Sequence, residues 1–198
     1  MITQRKLLRR VAGTAVVCAV AAVGLWSAQV AQAASAPAVV DVPCSVTSLA
    51  SDISSATSGE TLSLMARCIY RLTAGLPVVS QDLTIVGNGA TLRRSDAPAT
   101  PAFTILSAAD SSSSVLAVSD LNFVNGDGAI SVTGGSASLT VQGGRFAGNH
   151  AANGGAIYND TGLGNLSVTG ATFIQNTATG AGGAIYTGPL GRTYASAA

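Results

Sequence analysis

The sequence predicts an all-β chain, a right-handed parallel β-helix with a short N-terminal capping helix, preceded by an export signal. Three observations carry this. A Leu, Val and Phe pattern recurs with a period of 23 to 28 residues. The apolar pieces of each repeat alternate with period two, as strands with one inward face do, and are too short for helices. Glycines stand at nearly every strand end, where turns need positive φ.

The leader comes first. Arg5, Lys6, Arg9 and Arg10 form a cationic start, and an apolar run free of lysine and arginine follows from Val11 to about Trp26. It closes on Ala31-Gln32-Ala33, the small-x-small pattern of a signal-peptidase site. Residues 1–33 are therefore read as a signal peptide cleaved after Ala33. The alternative is an uncleaved anchor, because Val11 to Val30 approaches the roughly 20 apolar residues that span a bilayer. Cys18, inside the run, is read as a small hydrophobe of the signal.

Cleavage leaves 165 residues, enough for one domain, with six arginines against nine acids and a net charge of −3. The only lysine, Lys6, and the only tryptophan, Trp26, leave with the signal. A chain without clustered cations has no electrostatic footprint for nucleic acid and no polybasic patch for a membrane surface. No second long apolar run is present, so no membrane span is expected in the mature chain. Cys44 and Cys68 remain, and an even pair in an exported chain reads as one disulfide.

Residues 34–59 are assigned to an N-terminal segment and cap. Val46, Leu49, Ile53 and Ala56 fall at helical spacing behind Ser45, a suitable N-cap. Such a helix would cover the open end of a solenoid, whose strand edges and apolar interior cannot face water bare. The disulfide would tie it to the first coil.

Residues 60–198 are assigned to the coils. Thr61-Leu62-Ser63-Leu64 and Cys68-Ile69-Tyr70-Arg71-Leu72 read as the first. Leu83-Thr84-Ile85 opens the next, with two residues inserted before Leu92, and Phe103-Thr104-Ile105-Leu106 supplies a further strand. Three regular units follow: Leu116-Val118-Phe123, Leu139-Val141-Phe146 and Leu166-Val168-Phe173. Each Phe leads to an Asn (Asn125, Asn149, Asn176) and then to Gly-Ala-Ile, ending at Ile130, Ile157 and Ile185. Ile to the next Leu is nine residues twice over, so the slack lies between Phe and Ile. A fold that tolerates variation in one loop while the rest keeps register is a solenoid. The Leu, Val, Phe and Ile ranks should stack inside it, and the asparagines should stack in a turn.

The paired Phe-x-x-Asn (Phe146 to Asn149, Phe173 to Asn176) and Gly-Gly-Ala-Ile (Gly154 to Ile157, Gly182 to Ile185) motifs resemble those of polymorphic outer membrane proteins. The stretch Leu83 to Leu92 is similar to early coils of pectin-lyase-like β-helix proteins. The Phe123 copy departs from the pattern, with Asn two residues on and Asp127 in place of a glycine. The resemblance covers roughly residues 60 to 190 and implies a β-helical passenger of a secreted or surface protein.

Chemistry is sparse. Lyases of this group need clustered acids for calcium, and hydrolases need paired carboxylates. Here Asp82, Asp96, Asp110, Asp120, Asp127 and Asp160 are scattered. Asp120 precedes a strand where Gly143 and Gly170 stand in the next coils, with Arg145 as its expected neighbour in a surface ion pair. His150, the single histidine, falls in the variable loop and is read as a solvated turn residue. No catalytic residue, metal ligand or cofactor is assigned.

Tyr158 and Tyr186 each follow an inward Ile, so both should point outward, one above the other. Stacked aromatics can be a platform for sugar rings or for a partner's side chains, or a ladder that only stabilises the sheet. The expected role is a secreted or cell-surface scaffold, structural and adhesive, with carbohydrate or another surface protein as partner. A fragment of a polysaccharide lyase or glycoside hydrolase is the alternative. After Ile185 the nine-residue rule places the next coil near position 194, where Tyr194-Ala195-Ser196 matches Leu-x-Val poorly. A truncated frame or end-to-end self-association is the expectation there.

The cysteine pairing is directly testable. Thiol labelling of the denatured, unreduced exported protein should find no free thiol, and two per chain would refute the bridge. Its loss should destabilise the fold by roughly 3 kcal/mol for a loop of this length.

Overall fold

In the computed structural model, residues 37–96, 102–109 and 113–188 are described, together with the backbone of 192–196. The predicted leader, residues 1–33, lies outside the described residues, as does Asp110.

The chain opens with β1 (Val39–Val42) and α1 (Val46–Ser55), then β2 (Glu60–Leu64), β3 (Ile69–Leu72), β4 (Leu83–Val86) and β5 (Thr91–Arg94). Next come β6 (Leu106–Ala109), β7 (Val115–Ser119), β8 (Asn122–Val124) and β9 (Ile130–Thr133). A longer coil adds β10 (Ser138–Gln142), β11 (Arg145–Ala147), β12 (His150–Ala151) and β13 (Ile157–Asp160). The last described residues give β14 (Asn165–Thr169), β15 (Thr172–Ile174), β16 (Thr177–Ala178), β17 (Ile185–Thr187) and β18 (Arg192–Ser196).

All the strand pairs are parallel and link one coil to the next. The first sheet runs β1-β2-β4-β7-β10-β14-β18, and its seven ranks bound six coils. The second runs β3-β5-β8-β11-β15, the third β6-β9-β13-β17, and β12 pairs with β16 alone. This is a parallel β-helix.

Register decides what the interior contains. Leu83, Leu116, Leu139 and Leu166 are mutual partners along the first sheet, as are Ile85, Val118, Val141 and Val168. All eight are buried. Phe123, Phe146 and Phe173 form the second ladder, with ring centroids 5.0 and 4.9 Å apart and planes within 11° and 14° of parallel. Those spacings follow the strand separation of about 4.8 Å, and nearly parallel rings that far apart are offset-stacked. Ile130, Ile157 and Ile185 form the third ladder.

The asparagine rank is the polar counterpart. Asn149 Nδ2 donates to the Phe123 carbonyl (3.2 Å) and to Asn176 Oδ1 (2.9 Å). Its Oδ1 accepts from the Gly126 amide at 2.9 Å. Asn176 repeats the move one coil on, donating to the Phe146 carbonyl at 2.9 Å and accepting from the Asn149 amide at 3.1 Å. Asn125 does not join this rank, contrary to expectation. Gly126 holds its place, and Asn125 falls at the preceding corner with φ +61°, aligned with Gly148 at +63° and Gln175 at +53°. That corner needs a left-handed residue, which Asn and Gly adopt most readily.

The N-terminal end matches its prediction and adds a strand to it. Ser45 Oγ accepts from the Ser48 amide at 3.3 Å, and Leu49 and Ile53 are buried. α1 packs on β1 and β3, in the rank that precedes β3 in the second sheet. Cys44 and Cys68 are bonded, with Cα atoms 5.7 Å apart, joining the start of α1 to the start of β3. Buried Tyr70 adds a second tie through its hydroxyl, which donates to the carbonyls of Val42 and Pro43. The pattern of β1 is not announced in the sequence, because its Val39-Val40-Asp41-Val42 has only one buried side, Val42, and no repeat partner upstream.

Two strand boundaries also differ from expectation. The strand placed at Phe103–Leu106 begins only at Leu106; Thr104 Oγ1 instead donates to the Asp127 carbonyl at 2.9 Å. The strand expected near 194 forms as β18, with Thr193 paired to Leu166 and Ala195 to Val168. The step from Ile185 is thus one residue shorter than the nine-residue rule gives.

Asn149 offers a sharp test of the polar rank. Asn149→Ala removes the partners of a buried amide and a buried carbonyl and should cost about 2–4 kcal/mol in urea unfolding. Asn122→Ala, which also frees backbone carbonyls but at a half-exposed site open to water, should cost under about 1 kcal/mol.

Candidate functional site

Coil length changes between the Phe123 and Phe146 coils, and that change shapes the surface. Phe123 to Ile130 takes seven residues, whereas Phe146 to Ile157 takes eleven. The four extra residues, His150 to Asn153, build β12 and the turn Ala152-Asn153, which have no counterpart beneath them in the shorter coil. The result is a step in the wall. Thr104, Asp127 and Gly128 form its floor, and Ala151, Ala152 and Asn153 overhang it. The groove between them encloses about 320 Å³ and ends against Ser131 and Tyr158.

The tyrosine pair stands at the same step. Tyr158 and Tyr186 are register partners on the outer face of the third sheet. Their rings lie 5.2 Å apart and within 7° of parallel. One coil earlier the partner of Tyr158 is Ser131, and the partner of Ser131 is Ser107. The aromatic ladder therefore begins abruptly: one face of the Tyr158 ring is covered by Tyr186, and the other looks over a serine.

Several polar groups in the groove are uncommitted. The Asp127 carboxylate is half-buried and takes no hydrogen bond from a described residue. Asn153 uses Oδ1 to accept from the Ala181 amide at 2.8 Å, which leaves its NH₂ free of described acceptors. The Tyr158 hydroxyl donates to Asp160 Oδ2 at 2.9 Å. That hydrogen bond, then desolvation and the nearby negative charge, raise the Tyr158 phenol above its usual value of 10.0.

Other residues singled out in the sequence are not brought together. Asp120 lies at a corner with φ +45°, in line with Gly143 and Gly170. Arg145 stands instead in the rank of Asn122, whose Oδ1 accepts the Arg145 amide at 3.0 Å. The two form no ion pair; the pair found among the described residues is Arg93–Asp96. His150 is exposed on β12, with Nδ1 at 3.0 Å from Thr177 Oγ1. Among the described residues no three His, Cys, Asp or Glu side chains gather as metal ligands would. No helix among them is long and apolar enough to cross a membrane.

Residues 143–160 and 170–188 match the Chlamydia polymorphic membrane protein repeat. These are the two coils that carry Phe146 to Tyr158 and Phe173 to Tyr186. The match and the β-helix together fit a surface-exposed scaffold. No curated protein and no solved structure matches the chain.

Thr104, Asp127 and Asn153 were not legible as a group in the sequence, where they lie up to 49 positions apart. The signal that could have found them is the change of period from 23 to 27 residues between consecutive Phe ladders.

The Tyr158–Asp160 contact can be followed by titration. A raised phenol pKa means that the folded state keeps its proton where the unfolded chain has begun to lose it. The associated stability is full below pH 10 and declines as pH rises through the folded value. Asp160→Asn should lower the Tyr158 titration toward the ordinary tyrosine range, read from its ring resonances, and should flatten that alkaline decline.

Proposed function

We propose that the exported chain is a rigid scaffold, displayed on the cell surface or secreted, with a structural and adhesive role and no catalytic centre of its own. The observation that supports this most is the division between its two faces. Every repeated residue of the ladders (Leu, Val, Phe, Asn, Ile) points inward or into a turn and serves the stack. The outward positions between them are largely Ser, Thr, Ala and Gln, as in Thr84, Ala117, Thr140 and Ser167. A rod of this kind carries binding groups at fixed spacing without reorganising. Preorganisation of this kind lowers the entropic cost of holding a partner.

The similarity of two coils to the polymorphic membrane protein repeat supports display at the surface. A leader removed near Ala33 would supply the export. Carbohydrate or another surface protein is the partner class proposed.

The proposal is checked in two measurements. The full chain, expressed with its own leader, should be accessible to protease on intact cells or recovered from the medium, with Ala34 at its amino terminus. Retention in the cytoplasm would refute export. Incubated with pectate, alginate or chitin in the presence of calcium, the purified protein should release no product. Product formation that disappears in Asp120→Ala or Arg145→Ala would establish the enzyme reading in its place.

A further inference from the structure

We propose that the step beside Tyr158 is a subsite for one neutral pyranose ring, stacked on the free face of Tyr158. This rests on the scaffold reading for its setting and names the ligand class of that scaffold's outer face.

The first support is the interrupted ladder. Tyr158 and Tyr186 are stacked at the coil repeat, but the rank before them holds Ser131 and the one before that Ser107. The vacancy in front of Tyr158 thus spans two ranks, those of Ser131 and Ser107, which leaves room for a ring against Tyr158 and is set by the backbone rather than by side-chain rotation. The electron-rich face of an aromatic ring attracts weakly positive C–H groups, and the axial C–H groups of a pyranose present such a surface.

The second support is independent of the tyrosines. The same step is roofed by Asn153 and floored by Thr104 and Asp127, because the coil widens there. A volume of about 320 Å³ lies at the low end of small-molecule sites. A ring seated on Tyr158 would have its edge toward a carboxylate that lacks a described donor and an amide NH₂ that lacks a described acceptor. A carboxylate accepting from hydroxyls beside an amide that donates suits a polyol. An aromatic side chain would leave both unanswered.

The third support is charge. The groove holds Asp127 and no arginine, and the chain from Ala34 onward contains no lysine. A uronate or another acidic sugar would place its carboxylate near Asp127 with nothing to offset the repulsion. An acidic sugar is therefore disfavoured, and the neutral class proposed is a hexose or an N-acetylhexosamine.

The test uses the full exported chain and follows the Tyr158 ring resonances during titration with four probes. They are methyl hexopyranosides, N-acetylglucosamine, galacturonic acid and tyrosinamide. At least one neutral sugar should give a saturable shift at Tyr158, with galacturonic acid and tyrosinamide weaker. Followed instead at the Ser131 backbone amide, Tyr158→Phe keeps the ring face and should bind within about threefold of the parent, whereas Tyr158→Ala should lose about tenfold or more. Ser131→Tyr extends the ladder over Tyr158 and should abolish the saturable shift at Tyr158 while leaving the unfolding midpoint unchanged or raised. Asp127→Asn should narrow the preference over galacturonic acid. Saturation by tyrosinamide but by no neutral sugar would overturn the proposal in favour of a protein partner. No saturable shift with any probe, or a sugar-induced shift at Tyr158 that survives Ser131→Tyr, would overturn it as well. Loss of sugar binding with surface display intact sinks this inference alone. Retention in the cytoplasm with sugar binding intact sinks the scaffold reading instead.

Discussion

Parallel in-register pairing between successive coils is the constraint on which everything else in this molecule depends. Each strand bonds to the same strand of the next coil at about 4.8 Å, so a residue's chemistry is judged against the residue one period away. Identical side chains stack well in that geometry. Phe stacks on Phe inside the coils, and each ladder Asn answers both a carbonyl and an amide of the coil before it. A single odd residue in an inward rank leaves either a hole or an orphaned polar group. Inward ranks are therefore nearly uniform, and outward ranks, where water answers, are free to vary.

That asymmetry explains what the sequence disclosed. The ladders from Leu83 onward were legible because an inward rank repeats its residue type, and the pairing of Leu139 with Leu166 or Phe146 with Phe173 follows from counting. The cap was legible because helix spacing and an N-cap are local signals. β1 was not, since a single short strand with one buried residue leaves no period to read. Asn125 misled because composition does not distinguish a ladder amide from a left-handed corner one residue earlier. Only the register, fixed by Phe123 on Phe146, separates the two. Asp120 and Arg145 misled for a related reason. Two residues close in adjacent coils can occupy different ranks, and here a corner and a strand start intervene.

The groove was illegible for a different reason. It is made by an inequality between coils rather than by any motif. The longer coil adds four residues between Phe and Ile, and β12 and its loop project past the shorter coil beneath. Thr104, Asp127, Asn153 and Tyr158 come from three consecutive coils and meet only because of that overhang. In a uniform solenoid every outward rank would continue and the wall would be smooth. Concavity in this architecture arises where the period changes.

The same logic bears on where such a scaffold can acquire a site without losing stability. A substitution in an inward rank must satisfy two neighbours at once, so binding groups placed there would disturb the stack in both directions. A change in the loop between Phe and Ile disturbs neither ladder, since Phe146 still stacks on Phe123 although the coils that hold them differ in length. Asp127 shows the freedom this gives. Its counterparts in the next two coils are Gly154 and Gly182, which take φ +59° and +68°, and a Cβ there would collide with the carbonyls of Ile157 and Ile185. The shorter coil takes a different path, places its positive φ at Gly128 instead, and so admits a side chain where the longer coils cannot. One change in loop length thus opens the floor of the step and provides the carboxylate that lines it, beside the Tyr158 face that Ser131 leaves free. Loop length, rather than the identity of the repeated residues, is the variable through which this fold gains a distinctive surface.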